Sequence, residues 1–157
     1  LSVLSGILSS GQNSRLQKVL IKEKKIASYA DSGYSMFSRQ DPLLMIDVNP
    51  MVGVGIDLIE NELQNLIEDL QTNLVNKKEL DRIKAQVLAT EIYQRDSIDY
   101  QARILGMIKT SVGSIKVIDE YTSNINAITA QQVREVAKKY LVENLKTTVT
   151  VNNVTKQ

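Results

Sequence analysis

The sequence predicts an α+β fold in which helices cover one face of an antiparallel sheet. Apolar residues recur at helical spacing through most of the 157 residues, which indicates several amphipathic helices. Two short strand-like segments follow each other between residues 28 and 48, and strands adjacent in sequence favour antiparallel pairing. We therefore expect a single domain over residues 1–157, with its helices gathered on one side of a small sheet.

Apolar stripes and capping residues predict the helices. The first stripe begins at Leu1 and should end at Gly11, where a glycine can stop a helix. Asn13 or Ser14 can cap the second helix, because a short side-chain oxygen accepts a hydrogen bond from a free backbone N–H. Further helices are expected over Ile56–Leu70, after an Asn76 cap with Glu79, over Ile98–Val112, and after a Thr129 cap with Gln132.

Three segments predict strands. Residues 28–38 mix small and aromatic side chains, and Asp31–Gly33 is expected to form a bend or bulge within them. The segment Leu43–Val48 is short and apolar, and Asn49-Pro50 closes it. Apolar and polar residues alternate over Thr147–Val151, which predicts a third and final strand.

The composition excludes several classes of function. The 19 basic and 18 acidic residues give a net charge of +1, so nothing favours nucleic acid or an anionic membrane as a partner. No apolar run approaches the length of a membrane span, and the sequence has neither cysteine nor a recognisable signal peptide. Because the chain opens in the middle of a helical pattern, we expect it to be a fragment that lacks its first strands.

Catalytic chemistry is hard to place in this sequence. It contains no histidine, so it can hold neither H-E-x-x-H nor H-x-x-E-H, nor a Ser–His pair. The segment Gly11–Arg15 lacks the full spacing of a phosphate loop and is better interpreted as a helix stop followed by a cap. The acids over 57–69 share their window with a clean apolar stripe, which favours a solvated helix face over a metal cluster. We therefore predict no catalytic residue and no metal ligand.

One family resemblance covers nearly the whole chain. Gly11, Ser14-Arg15-Leu16, Leu20, Lys22-Glu23-Lys24 and Ile26-Ala27 follow each other in an order that resembles the C-terminal halves of pitrilysin/insulysin-like zinc metallopeptidases, the inverzincins. Later segments are similar too, namely Asn76–Leu80, Asp96-Ser97, Ile128–Val133 and Val136–Leu141. Each motif is loose, but their order and spacing together are fairly specific.

The resemblance implies a half of the metallopeptidase or processing-peptidase type. In such enzymes two homologous halves close around an unfolded peptide, and the N-terminal half carries the zinc. This chain would then be the non-catalytic C-terminal domain, with no cofactor of its own and the histidine-bearing half as partner, in the same polypeptide or a separate subunit. The resemblance also makes an extracytoplasmic, periplasmic location plausible. Two alternatives stay open: an inactive structural subunit related to processing-peptidase or respiratory-complex core proteins, and an unrelated α+β binding module.

The same resemblance points to substrate-facing residues. The C-terminal half of active relatives often supplies an Arg and, seven positions later, a Tyr, which can hydrogen-bond the peptide and stabilise developing charge. Our alignment places these positions at Ile21 and Ser28, with Tyr29 one residue late. We therefore predict Ile21, Ser28 and Tyr29 to face the substrate, and we expect little direct catalytic help from them, because isoleucine cannot donate a hydrogen bond.

Overall fold

The structure is a computed structural model that describes residues 1–36, 42–94, 96–111 and 116–151. Two helices come first, then two strands, then a run of helices. In chain order the elements are α1 (Ser2–Ser9), a π-helix (Gln17–Glu23), β1 (Ala27–Tyr34), β2 (Leu44–Pro50), α2 (Ile56–Thr72), α3 (Lys77–Gln94), α4 (Ile98–Ser111), α5 (Lys116–Ala127), α6 (Ala130–Tyr140) and a short 3₁₀-helix (Glu143–Leu145). The predicted α+β class is confirmed.

The sheet of the described residues is an antiparallel ribbon of β1 and β2. Its register pairs Ala30 with Val48 and Tyr34 with Leu44. Ala30 and Ser32 are buried, while Asp31 between them is exposed. Side chains alternate between the two faces of a strand, so one face of the ribbon packs on the helices and the other is open. This confirms that helices gather on one face of the sheet.

The core lies between the inner face of the ribbon and the helices. It is built from aliphatic side chains, as a chain with only seven aromatic residues requires. α1 lies against β1 and α3, and α2 lies against α6. The fully buried members with the largest side chains are Leu4, Ile7, Leu8, Leu16, Leu20, Leu70 and Ile83.

α1 and α3 approach each other closely at Gly6. A Cβ atom at this position would lie 2.8 Å from Cγ2 of Ile83, which is closer than van der Waals contact allows. Ile83 is fully buried, so it has little room to move away. Gly6 therefore sets the distance at which α1 packs on α3.

Several predicted helix ends are confirmed. α1 ends at Ser9, and Gly11 follows with φ of +80°, a conformation that favours glycine. Asn76 Oδ1 accepts a hydrogen bond from the Glu79 N–H at 2.8 Å. Thr129 and Gln132 form a reciprocal capping box at the start of α6.

The predicted cap of the second helix by Asn13 or Ser14 is wrong, because that helix has no side-chain cap hydrogen bond. The Ser14 hydroxyl is buried and has no hydrogen-bond partner among the described residues. The predicted Phe37-Ser38 end of the first strand and Val112 at the end of α4 lie outside the described residues.

Two predictions about strands are also wrong. Thr147–Val151 is exposed and forms no strand, because it pairs with neither β1 nor β2 and alternation alone supplies no partner. The bulge lies between Ala27 and Tyr29, not at Asp31–Gly33, which pairs regularly with Met45–Asp47. The predicted sheet of three strands is therefore a ribbon of two in the described part of the chain.

Candidate functional site

The segment from Ser14 to Tyr29 contains an unusual helix. The sequence pattern predicts an α-helix, but Gln17–Glu23 follows the wider π-helical path. At its end, Lys24 donates to the Val19 carbonyl at 3.0 Å and Ile26 donates to the Leu20 carbonyl at 2.9 Å, both longer-range bonds than the i→i−4 pattern. Long π-helices are rare and often occur at functional sites.

Lys25 turns the chain from this helix into β1. Its φ of +53° places it in the left-handed region, where a residue with a Cβ atom is strained. The turn lets Ile26 bury its side chain and lets β1 begin at Ala27 against the core. Lys25 therefore fixes the direction in which the strand leaves the helix.

Arg15 anchors the start of this segment. Its guanidinium donates to both carboxylate oxygens of Glu79, at 3.1 and 3.2 Å, and it also pairs with Asp69. The side chains of Arg15 and Glu79 are only 17% and 16% exposed. Burial opposes the charged form of Arg15, but the hydrogen bond and charge of Glu79, together with Asp69, raise its pKa overall. Arg15 therefore ties α2 and α3 to the turn that precedes the π-helix.

A cluster of serine hydroxyls fixes the inner face of β1. Ser5 donates to the Ser32 carbonyl at 2.9 Å, and Ser9 donates to the same carbonyl at 3.0 Å. The Ser5 and Ser32 hydroxyls are 3.2 Å apart. Because these bonds tie α1 to β1, the opposite face of the ribbon stays directed away from the helices.

The bulge at Ser28 decides which side chains lie on the open face. Ala27 pairs with Pro50 and Tyr29 pairs with Asn49, so Ser28 is the extra residue in β1. Ser28 and Tyr29 are both exposed, and the Ser28 hydroxyl donates to the Asn49 carbonyl at 3.2 Å. Tyr29 is therefore directed to the open face, together with Asp31 and, from β2, Met45 and Asp47. We call this set of residues the open ribbon face.

The three predicted substrate-facing residues separate into two groups. Ser28 and Tyr29 lie next to each other at the open ribbon face, and Tyr29 is 44% exposed. Ile21 lies in the π-helix, is half-buried, and packs against the core. Lys22, the next residue, is exposed. The sequence reasoning missed Asp31, Asp47 and Met45, which only the register of the two strands brings together.

The electrostatic environment of the open ribbon face is negative. Desolvation raises the pKa of the Tyr29 phenol, and the charges of Asp31 and Asp47 and a hydrogen bond with Asp31 raise it further. Each of these effects disfavours the charged phenolate form of Tyr29. The phenol therefore remains a hydrogen-bond donor at neutral pH.

The described residues contain no group of three or more histidine, cysteine, aspartate or glutamate side chains that could hold a metal ion. The complete sequence has neither histidine nor cysteine, the commonest ligands of zinc besides carboxylates. Among the helices that the structure describes, none is both long and apolar enough to cross a membrane.

Comparison with curated sequences gives distant matches. No protein-family model matches the chain. It is 25% identical over 151 residues to the uncharacterized zinc protease YmxG of Bacillus subtilis, and 23% identical over 151 residues to the zinc protease PqqE of Helicobacter pylori. The chain is distantly related to zinc proteases. These two alignments cover 92% and 95% of this chain but only 35% and 33% of the proteases, so the chain spans about a third of their length.

Solved structures of zinc-protease relatives share the fold. A protease from Helicobacter pylori superposes with a TM-score of 0.82 at 23% identity, covering 92% of this chain and 34% of that one. The inactive peptidase domain of a zinc protease from Bordetella parapertussis superposes with a TM-score of 0.83 at 18% identity. This match covers 99% of this chain and 83% of that one. A chain of Complex III from Candida albicans superposes with a TM-score of 0.75 at 15% identity. This match covers 88% of this chain and 34% of that one. The architecture is thus shared by protease domains and by a chain of Complex III.

Proposed function

We propose that this chain is the non-catalytic C-terminal domain of a zinc metallopeptidase and forms a substrate chamber with a histidine-bearing half. One combined observation carries the proposal. The chain aligns with zinc proteases over 92% and 95% of its length, yet its sequence has no histidine to bind a catalytic zinc. The fold shared with an inactive peptidase domain supports the same role.

In this role the chain would bind the peptide and form part of the wall of the substrate chamber. The zinc belongs to the other half, where it would polarise the scissile carbonyl and activate water. The ribbon would present its open face to an unfolded peptide, hold it in an extended conformation, and keep bulk water away. The Arg15 network and the Ser5–Ser32 bonds keep that face in a fixed position relative to the helices.

Tyr29 is the strongest candidate for direct contact with the peptide. It is exposed on the open ribbon face and keeps a protonated phenol that can donate a hydrogen bond. Because the bulge at Ser28 adds one residue to β1, the Arg and Tyr positions of active relatives can also be aligned one residue later in this chain. In that alignment Lys22 stands seven positions before Tyr29, and a lysine can donate where Ile21 cannot. The shift would move the pair from Ile21 and Ser28 to Lys22 and Tyr29.

Reconstitution tests the proposal. We expect the 157-residue chain alone to bind no stoichiometric zinc and to cleave no unfolded peptide. When it is co-expressed with a zinc-protease half that carries H-x-x-E-H, cleavage should appear and should disappear on chelation of the metal. The same half without this chain is the control. Peptide cleavage by the purified chain alone, in proportion to its metal content, would contradict the assignment.

A second function is favoured by the likeness to complex III, which shows that this architecture also occurs in a respiratory assembly. The chain would then be an inactive structural subunit. The two functions differ in the sequence of the partner half: an H-x-x-E-H motif with a downstream Glu supports the peptidase, and its absence from every partner supports the structural role. Peptide cleavage by the purified complex separates them directly.

A further inference from the structure

The open ribbon face carries two carboxylates directly opposite each other. Asp31 in β1 and Asp47 in β2 are cross-strand partners, and both are exposed. Like charges in this position destabilise a sheet, and aspartate is disfavoured in strands in any case. The pair therefore lowers the stability of the ribbon. Because both side chains are exposed, the core does not need them.

No cation among the described residues offsets this cost. Other acids of the chain have a basic partner, including Glu62 with Lys24, Glu79 with Arg15 and Asp81 with Lys77. Asp31 and Asp47 form no such ion pair within the part of the chain that the structure describes. The open ribbon face is therefore complementary to a positive charge.

Apolar groups lie on both sides of the carboxylate pair. Tyr29 is two residues before Asp31, and Met45, which is 65% exposed, is two residues before Asp47 on the other strand. Residues two apart in a strand are separated by about 7 Å. Gly33 pairs with Met45 and has no neighbouring atom within 4 Å of a Cβ position, so the space beside the methionine is open. A shallow apolar strip with a negative centre results.

We propose that the open ribbon face binds a lysine or arginine side chain of an extended peptide, with its charged group between Asp31 and Asp47. Such a side chain has an apolar stem that can lie along Met45 or Tyr29, and a cation that pairs with carboxylates. The face of the Tyr29 ring can also attract the cation. This inference rests on the proposed function and deepens it, since it names basic peptides as the preferred substrate class.

Peptide binding by the chain tests the inference. Two fluorescent peptides that differ only in a central Lys or norleucine are titrated by anisotropy. We expect the Lys peptide to bind about tenfold more tightly, a difference of about 1.4 kcal/mol. The double variant Asp31→Asn/Asp47→Asn should abolish that preference, and added salt should reduce it. The variant should also melt at a higher temperature than the wild type, because the repulsion is gone, and this shows that it is folded.

A matched control changes the net charge equally elsewhere. Asp57 and Asp99 are exposed acids in the first turns of α2 and α4, and Asp57→Asn/Asp99→Asn should keep the preference for the Lys peptide. Equal binding of both peptides by the wild type would overturn the inference and leave the proposed function standing. Retention of the preference in the Asp31/Asp47 variant would overturn it in the same way. Binding of neither peptide would count against both.

Discussion

At the scale of single residues, the segment that resembles zinc proteases is shaped by interactions that its sequence only partly reveals. Arg15 was recognisable as a motif residue, but its two carboxylate partners come from α2 and α3, more than fifty positions away. Lys25 gives no sequence signal at all, because lysine has no preference for the left-handed region that it adopts. Both residues owe their role to tertiary structure, which residue spacing does not encode.

Replacing Lys25 by glycine should stabilise the domain. Glycine adopts a φ of +53° without steric strain, so we expect Lys25→Gly to raise the free energy of unfolding by about 1 kcal/mol. Lys22→Gly is the matched control, since Lys22 is an exposed lysine inside the preceding helix and should lose about 1 kcal/mol. Urea denaturation measures both. A loss of stability in Lys25→Gly would show that the left-handed turn is not strained.

At the scale of elements, most helices followed from the sequence and the sheet followed only in part. The apolar stripe of α2 and the capping box of α6 are local signals, and the structure contains both as predicted. The alternation over 147–151 is local too, but a strand needs a partner edge, and that information is not local. The π-helix was missed because its wider turn changes the spacing of the apolar residues only slightly. The bulge at Ser28 was missed because residues 28–38 mix small and aromatic side chains, without a regular apolar alternation that an extra residue would interrupt.

The packing of α1 on α3 makes a prediction about Gly6. A valine there would press into buried Ile83, so we expect Gly6→Val to lower the free energy of unfolding by about 2 kcal/mol. Gly106→Ala is the control, because Gly106 lies inside α4 with nothing within 4 Å of a Cβ position. It should gain up to about 1 kcal/mol from helix propensity. If Gly6→Val were as stable as the wild type, the close contact between α1 and α3 would be contradicted.

At the scale of the whole molecule, the candidate site is a surface and not a pocket of reactive groups. The sequence alone shows that the chain has neither histidine nor cysteine, and its resemblance pointed to Ile21, Ser28 and Tyr29. The register of β1 and β2 adds Asp31, Asp47 and Met45 on the same face as Tyr29. Strand pairing cannot be derived from a single strand, so Met45 and Asp47 were missed, and Asp31 was missed because it was assigned to a bend or bulge. Ile21, Ser28 and Tyr29 stay predictions as substrate-facing residues.

The central claim is that the open ribbon face contacts the peptide. It can be tested by placing a photoreactive benzoylphenylalanine at position 29 and, as a control, at position 58. Tyr29 and Leu58 are both 44% exposed, but Leu58 lies on α2 and not on the ribbon. We predict that irradiation in the reconstituted complex cross-links an unfolded peptide to position 29 and not to position 58. Equal cross-linking at both positions, or cross-linking at position 58 alone, would contradict the claim.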